Sequence, residues 1–364
     1  MDKKNYTYKA LEKKYDNFSA PAFEIKVAGK LFASKEVNIT TLEVELSCDG
    51  SASGCSFRVQ GQYNHEKHKW ENGVADVVEV GAKLEVMGGY VEKKLLFYGY
   101  VDDYTMDFEA DGIPSLEVTG LDGLGYLMSL REPLYAGKRK AVEIVKEILN
   151  KAVSAGFAQS VTVGQPKGFD TIPIVKERVD DWTFLNLMAQ RYGMSLFVAA
   201  GEMIFDNVAG TTTPVVALKL GEQVHGFQKR VTLAHQVGKV EIRGRDVNQK
   251  LIKSASTKVK IGKGKSAAQI VPGLKDAVVR EYSEFVRTKE DCTQMAQNRM
   301  DSYAMGFVTG KGSCIGLPEL FAGRYIEITG ADKKSVGRFF MTKVRHVFES
   351  QAYRTEFEIK GAKA

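Results

Sequence analysis

The residues best suited to bind phosphate lie at positions 262–266, which read Gly-Lys-Gly-Lys-Ser. A phosphate-binding loop of the form Gly-x-x-x-x-Gly-Lys-Ser needs its first glycine at position 259, where the chain has Val259. A looser dinucleotide fingerprint, Gly262-x-Gly264-x-x-Ala267, follows a Thr-Lys-Val-Lys run, whereas the strand before such a loop is apolar and buried on both faces. The sequence therefore predicts no nucleotide site and no cofactor.

Histidine and cysteine are the next candidates, because they are the usual ligands of transition metals. His65 and His68 are three residues apart in a charged loop, which is not the i, i+4 spacing of a zinc-binding helix, so we interpret them as solvated. His346 alternates onto an apolar strand face, which favours a hydrogen-bonded structural histidine. The four cysteines have no paired Cys-x-x-Cys spacing and are interpreted as free thiols. No metal site is predicted.

Paired carboxylates could serve as the acid and base of a hydrolase. The sequence offers Asp102 beside Asp103, and Asp180 beside Asp181. We interpret the first pair as the polar end of a strand and the second as the cap of a helix N-terminus. No catalytic residue stands out, and we predict that the protein is not an enzyme.

The strongest charge cluster is basic. Between Val247 and Lys275 seven lysines occur without one acidic residue. Lysines placed on phosphates release counterions, but this segment has no aromatic residue that could stack on bases. We interpret it as a solvated loop or hairpin, or as a docking surface for an acidic neighbour, and predict no sequence-specific contact with nucleic acid.

Composition sets the remaining limits. The chain has 364 residues, 44% of them hydrophobic, which is long enough for two or three domains with their own cores. Its net charge of +6 comes from 51 basic and 45 acidic residues, so most of the charge forms a mixed surface. The N-terminus has no apolar signal core, and no run approaches the ~18 apolar residues of a membrane span. We expect synthesis in the cytoplasm and no membrane span.

Short alternating strands with glycine turns predict a small antiparallel β-barrel at residues 21–125, after a polar N-terminal arm at residues 1–20. A change of phase between Ile39 and Leu42 indicates a bulge or two abutting strands. The β pattern returns at residues 207–364.

We interpret this last region as a second β-barrel module, interrupted at about 247–312 by the basic segment and a helix. Thr288 is the expected cap of that helix, and Gly306 follows its end. Tyr353 and Ile359 belong to a terminal strand whose odd-numbered apolar residues share one face.

A middle α+β domain is predicted at residues 126–206. Apolar residues keep helical spacing over 141–152 and again from Trp182 to Tyr192, where Gly193 supplies the positive φ that ends a helix. Two short β runs after Gly193 are separated by a short glycine-containing loop and predict a hairpin.

The helix and hairpin carry a family resemblance. Three features follow one another: Asp181-Trp-x-Phe-Leu, a helix ending in Arg-Tyr-Gly193, and a glycine-turned hairpin. This order resembles the late control protein D family, the hub proteins of contractile phage tails. It is also similar to the N-terminal module of VgrG spikes. Gly316-x-Pro-x-Leu-x-x-Gly323, before a strand ending in Thr-x-Val-x-His346, resembles the C-terminal half of that family. The resemblance covers about residues 80–360. It implies a structural baseplate hub that adapts a sixfold tail tube to a threefold spike.

An internal repeat is visible without the family. Residues 81–88 and 323–330 share the pattern Gly-x-x-Leu/Ile-Glu-Val/Ile-x-Gly, and residues 116–120 resemble residues 357–361 at a similar distance further on. We predict two duplicated β modules per chain. Because the resemblance implies a sixfold tube above a threefold spike, three copies would place six modules in a ring around an open channel, so we expect a homotrimer.

The resemblance also implies partners and a location. We expect contacts with the tail tube protein, other baseplate proteins and the tape-measure protein, in a virion tail baseplate or an injection-system particle made in a bacterial cell. Since the sequence ends at Ala364, soon after the second β module, we expect the spike to be a separate protein. Two other functions stay open: a tail-associated cell-wall hydrolase, and a stand-alone carbohydrate- or receptor-binding module.

Overall fold

The computed structural model describes residues 4–32, 37–110, 112–137, 139–169, 173–349 and 352–364. Its fold is α+β and mainly β, which confirms the predicted class: two similar small antiparallel β-barrel modules with an α+β middle domain inserted between them. Within these ranges no helix is both long and apolar enough to cross a membrane.

The first β module follows a short N-terminal helix. In chain order the elements are α1 (Tyr8–Lys14), β1 (Ala22–Val27), β2 (Lys30–Phe32), β3 (Ile39–Ser47), β4 (Gly54–Gln60), β5 (Tyr63–Asn64), β6 (Lys69–Trp70), α2 (Val74–Val77), β7 (Lys83–Gly89), β8 (Lys93–Asp107) and β9 (Ser115–Leu121). The main strand order is β3-β4-β9-β8-β7-β1-β2, and all neighbours are antiparallel. The predicted phase change is confirmed, since the register of β3 on β4 shifts between Ile39 and Thr41.

The segment predicted as an arm packs against the second module. Its Tyr6 amide donates to the Val215 carbonyl at 2.7 Å. Leu11 and Tyr15 are buried in the main core, and the Tyr15 hydroxyl donates to the buried Glu319 carboxylate at 2.6 Å. A buried tyrosine needs such a partner for its hydroxyl, so this contact orients the segment.

The middle region contains both predicted helices and the predicted hairpin. Its elements are α3 (Gly123–Leu127), β10 (Leu134–Tyr135), α4 (Ala141–Ser154), β11 (Ser160–Val163), β12 (Val175–Lys176), α5 (Asp181–Tyr192), β13 (Ser195–Ala199) and β14 (Glu202–Asp206). Asp180 caps α5 by accepting a hydrogen bond from the Thr183 amide at 2.6 Å, and Gly193 ends it at φ 65°. Strands β13 and β14 form the hairpin, and β11 pairs with β14 in parallel.

Two expectations for α5 need correction. Asp181 does not cap the helix: it is fully buried and forms ion pairs with Lys176 and Lys151. Trp182, expected on the buried face, is only partly buried. Its indole Nε1–H donates to the Gly50 carbonyl at 2.7 Å, so the ring connects the middle region to the first β module.

The second β module contains a separate small sheet as an insertion. The elements are β15 (Pro214–Lys219), β16 (Val224–Val231), β17 (Lys239–Arg245), β18 (Leu251–Ser256), α6 (Ala267–Ile270), β19 (Val278–Tyr282), α7 (Lys289–Ala304), β20 (Val308–Ile315), β21 (Tyr325–Thr329), β22 (Gly337–Glu349) and β23 (Ala352–Gly361). The main order is β16-β20-β23-β22-β21-β15. The insertion has the order β18-β17-β19, with α7 packed against β17 and β18.

The basic segment lies in this insertion, and part of it is strand. Of the alternatives predicted for it, the hairpin is formed by β17 and β18, which pair from Val240–Ser256 to Arg245–Leu251. Helix α7 begins as predicted, because Thr288 and Asp291 form a capping box. Met305 is the C-cap of α7, one residue before Gly306.

The predicted repeat is present in the strand order. The first motif lies on β7, which pairs with β8, then β9, then β4, then β3. The second lies on β21, which pairs with β22, then β23, then β20, then β16. The two modules therefore use equivalent strands in equivalent order, with β8 matching β22 and β3 matching β16.

The modules are joined by a ladder of backbone hydrogen bonds. Strand β3 of the first module pairs with the C-terminal half of β22 from Ser47–Lys343 to Thr41–Glu349. Among the described residues this pairing makes one thirteen-stranded sheet that runs through both modules. We call the β3–β22 contact the seam.

Candidate assembly surface

The predicted solvated and structural histidines are found where the sequence suggested. His65 and His68 are exposed in the turn between β5 and β6. His346 is fully buried: Nε2 lies 3.1 Å from the Leu320 carbonyl, and the Tyr353 hydroxyl lies 2.8 Å from Nδ1. Burial lowers the pKa of His346 to about 4, so its ring is neutral at pH 7.

Among the described residues, the two predicted carboxylate pairs do not form an acid and base in a cleft. Asp102 and Asp103 are exposed and lie at a bulge inside β8, not at the end of that strand as expected. Asp122 is the fully buried carboxylate of the first module, and burial raises its pKa to about 6. It accepts hydrogen bonds from the Ser53 and Leu124 amides, which is the role of a helix cap for α3.

The glycine-lysine loop at 262–266 is paired with the end of the chain. The Lys265 amide donates to the Ala364 carbonyl at 3.1 Å, and the Ala364 amide donates back to Lys265 at 3.0 Å. Ser266 then begins α6, which is only four residues long. A phosphate-binding loop presents free amides to its ligand, whereas here the Lys265 amide donates to the Ala364 carbonyl and the Ser266 amide donates to Gln269 Oε1.

The four cysteines do not form a reactive or metal-binding site. All four cysteines are buried and none is in a disulfide. Burial raises the pKa of the Cys48 thiol to about 12, which keeps it protonated and unreactive. In the described parts of the chain, no group of three or more His, Cys, Asp and Glu side chains could hold a metal ion.

A depression of about 830 Å³ instead lies across the seam. Its wall carries a network of ion pairs between strands. Arg345 of β22 pairs with Glu43 of β3 and with Glu356 of β23, and Lys343 lies 3.3 Å from Glu45. Each half-exposed pair contributes at most about 1 kcal/mol. Together they make one face of the sheet polar and charged.

The opposite face of the seam is apolar and closed. Leu42, Val44 and Leu46 of β3 lie beside Phe348, His346 and Val344 of β22, respectively. All six side chains are at most 4% exposed. Burying apolar surface on one side while ion pairs form on the other fixes the register, because a slip of one residue would exchange the two faces.

Strands β8 and β16, the equivalents of the seam strands β22 and β3, each have an edge with no neighbouring strand among the described residues. Beyond Val101, strand β8 continues to Asp107 with β9 on one side and, among the described residues, no strand on the other. In the part of the chain that the structure describes, strand β16 ends the order of the sheet, and only β20 lies beside it over Gly226–Val231. Open edges of this length are templates for pairing with another chain.

Both edges expose apolar side chains. On β8 and just beyond it, Tyr104, Met106 and Phe108 are 39%, 36% and 52% exposed. At the end of β16, Val231 is 50% exposed and Leu233 is 46% exposed. The sequence analysis did not single out these residues. The alternation of Tyr104, Met106 and Phe108 was the signal that could have identified them.

No curated protein sequence matches the chain, but solved structures share its fold. A 43 kDa tail protein of prophage MuSo2 from Shewanella oneidensis is 15% identical, with a TM-score of 0.68 over 94% of this chain and 99% of that one. A tail protein from Neisseria meningitidis MC58 is 12% identical, with a TM-score of 0.68 over 94% and 96%. An E. coli component of the type VI secretion system is 11% identical, with a TM-score of 0.57 over 93% and 76%.

At these identities the similarity to phage tail and secretion-system proteins establishes the fold. The sequence itself matches a protein family. The model of the family described as the Alg8 N-terminal domain matches residues 18–350, which include the first β module, the middle region, the insertion and the second β module as far as β22. The chain therefore belongs to the Alg8 N-terminal domain family.

Proposed function

We propose that the chain is a structural hub in the baseplate of a contractile phage tail or a tail-like injection particle, as its resemblance to the late control protein D family and the VgrG hub module implies. In this role it joins a sixfold tail tube to a threefold spike and catalyses no reaction. The observation that carries the proposal is the pair of equivalent β modules joined in one sheet with an open edge at each module.

Three copies would supply six such modules. The homotrimer would form a pseudo-sixfold β ring, and six similar surfaces would meet the tube while three identical ones would meet the spike. The charged face of the seam, with Arg345 and Lys343, would line the channel of this ring. Mixed charge on a channel wall keeps it hydrated and gives a passing chain no apolar surface to adhere to.

The proposed division of the chain follows the predicted boundaries. Residues 1–20 form an arm, residues 21–125 and 207–364 form the ring modules, and residues 126–206 form the middle domain. The insertion at about 247–312 would lie outside the ring. Its exposed Lys253 and Arg280 make it a candidate contact for acidic baseplate neighbours.

Co-expression with the tail tube and spike proteins encoded beside it tests the hub assignment. We expect a tagged hub to copurify with both proteins at moderate salt, in a ratio of three hubs to one trimeric spike. If neither protein is retained while the hub is folded by circular dichroism, the hub assignment is wrong. Clearing of peptidoglycan by the purified hub would favour a hydrolase, and binding to whole cells or glycans without tube protein would favour a receptor-binding module.

A further inference from the structure

A cavity of about 600 Å³ lies in the insertion, at the end of its sheet opposite the β17–β18 turn. Its lining residues come from three places: the start of β17, the segment after β18, and the stretch from α6 through the 3-10 helix Pro272–Asp276. Each place supplies one lysine, and these are Lys239, Lys258 and Lys275. Two of the three belong to the basic segment that the sequence analysis singled out.

These lysines have no counter-charge in the cavity. Among the described residues that line it, none is acidic. None of the three lysines forms an ion pair with a described carboxylate. Ammonium groups gathered around one cavity repel each other, and a bound anion would offset that repulsion.

Three carboxylates are close to these lysines in the chain, and each has other surroundings. Glu241 lies two residues beyond the first lysine, but it pairs with Arg243 at 2.6 Å. Asp301 of α7 accepts a hydrogen bond from the Lys260 amide at 2.7 Å. Asp276 follows the third lysine and is exposed outside the lining. The cavity therefore keeps an excess of positive charge that an external anion can neutralise.

The other polar groups of the lining are suited to donate hydrogen bonds. Gln269 Oε1 accepts from the Ser266 amide at 2.8 Å, which leaves the side-chain NH2 group of Gln269 as a donor. The Ser266 hydroxyl accepts from the Gln269 amide in the capping box of α6, so its own proton is left for a ligand. Thr257 adds a second hydroxyl. Ammonium, hydroxyl and amide N–H donors together are the chemistry of an anion site.

Backbone contacts fix the segments that carry the lysines. The Ala277 carbonyl accepts from the Gly238 amide at 3.0 Å. A Cβ at Gly238 would lie 2.0 Å from the Leu274 carbonyl oxygen, so this close approach requires glycine. Gln297 of α7 donates to the Lys258 carbonyl at 2.9 Å. The walls are thus formed by the fold itself, which lowers the entropic cost of binding a ligand.

We infer that this cavity binds an oligophosphate, two or more linked phosphate groups that are either free or the end of a nucleotide. Two linked phosphates carry about three negative charges in a small volume, which matches three ammonium groups, whereas a carboxylate carries one charge. The volume of about 600 Å³ lies in the range of small-molecule sites. No described lining residue is aromatic, so the phosphates and not a base would be recognised. This inference goes beyond the proposed function and does not depend on it.

The site differs from the phosphate-binding loop that the sequence excludes. In such a loop successive backbone amides hold the phosphates. Here the Lys265 and Ser266 amides are used within the chain, and side chains from three segments supply the donors. A motif search cannot identify this arrangement, because the three lysines are far apart in the sequence.

Calorimetric titration of the full chain with pyrophosphate tests the site. In EDTA and about 0.1 M salt, we expect one pyrophosphate per chain. Lys239→Gln, Lys258→Gln and Lys275→Gln each remove an ammonium group and keep an extended side chain, and each should weaken binding at least about fivefold. The triple variant should not bind. Absence of binding to the folded native chain at about 10 mM pyrophosphate would overturn the inference.

Lys253→Gln is the matched control. Lys253 is exposed on β18 of the same sheet, but it does not line the cavity. The control should change the affinity for pyrophosphate by less than about twofold. If it weakens binding as much as Lys258→Gln does, the basic surface of the insertion attracts anions without a defined site, and the inference is wrong. Circular dichroism should show that every variant is folded.

Other anions test the chemistry of the ligand. Citrate, a tricarboxylate of similar charge, should bind at least about tenfold more weakly than pyrophosphate. Equal binding of the two would overturn the assignment to phosphate. Tripolyphosphate and ATP should bind within about threefold of each other, because no described lining residue can stack on adenine. Binding of ATP without binding of tripolyphosphate would overturn recognition through the phosphates.

These outcomes are separate from the test of the hub assignment. Copurification with tube and spike proteins is measured without any of these anions. A hub that copurifies but binds no pyrophosphate would overturn only this inference. A chain that binds pyrophosphate through the three lysines but retains neither partner would overturn only the hub assignment.

Discussion

Removal of the Lys176 ammonium should destabilise the middle region more than the loss of any surface ion pair. Asp181 is fully buried at the start of α5, and it pairs with Lys176, also buried, and with Lys151 at 2.9 Å. Breaking a buried pair from one side costs roughly 3–5 kcal/mol, because the remaining charge is left without water or a partner. Lys151 still faces Asp181 after Lys176→Met, so we expect the lower end, about 3 kcal/mol.

The assay can be confined to the middle region. The chain has two tryptophans, and a Trp70→Phe background leaves Trp182, next to Asp181, as the reporter. Urea unfolding followed by Trp182 fluorescence then gives the free energy of unfolding of each variant. The matched control is Lys219→Met, which removes a pair in which Lys219 and Glu222 are 55% and 51% exposed and should cost less than about 0.5 kcal/mol.

A double-mutant cycle separates the buried charge from lost packing. Replacing both members, Lys176→Met with Asp181→Leu, removes the unpaired carboxylate and should recover at least about 2 kcal/mol of the loss. The reasoning is refuted if Lys176→Met costs no more than Lys219→Met. It is also refuted if the double variant is as unstable as the single one.

Three further predictions concern other sites. Burial lowers the pKa of His346 from 6.5 to about 4, so between these pH values the unfolded chain takes up a proton and the folded chain does not. As pH drops from 6.5 to 4, the free energy of unfolding relative to His346→Gln should therefore fall by up to about 3 kcal/mol in urea titrations. Thr288→Ala removes the cap on the Asp291 amide and should lower stability by about 1 kcal/mol in the same titration at pH 7. Trp182→Phe removes the bond to the Gly50 carbonyl and should cost about 1 kcal/mol, with faster amide exchange around Gly50 and unchanged exchange in β22.

Local patterns were sufficient for most of the elements. Gly193 and Asp180 mark the ends of α5 because a positive φ and an unpaired helix amide each require a particular residue type. The repeat was readable because each motif strand is bounded by glycines and keeps Glu85 or Glu327 at the same place. These signals lie within a few residues of the feature that they specify.

The remaining features depend on residues far apart in the chain. From its position in the sequence, Asp181 could be a helix cap or a buried carboxylate in an ion pair. The ion pair with Lys151 on α4 decides between the two roles. The seam joins Glu43 to Arg345, about 300 positions later. The residue pattern of neither strand indicates which strand lies beside it. Asp102 and Asp103 were interpreted as the polar end of a strand because their sequence does not show that β8 continues through a bulge to Asp107.

The β3–β22 ladder has a consequence for curvature. If a flexible linker connected the two modules, their relative orientation would have to be fixed each time a chain entered an assembly. Here the angle is set by the twist of a continuous sheet, which backbone sterics keep within a narrow range. The bend between neighbouring modules is thus present in every newly folded chain. In the proposed ring, a copy whose modules already hold this angle would lose little conformational freedom when it joins the next copy.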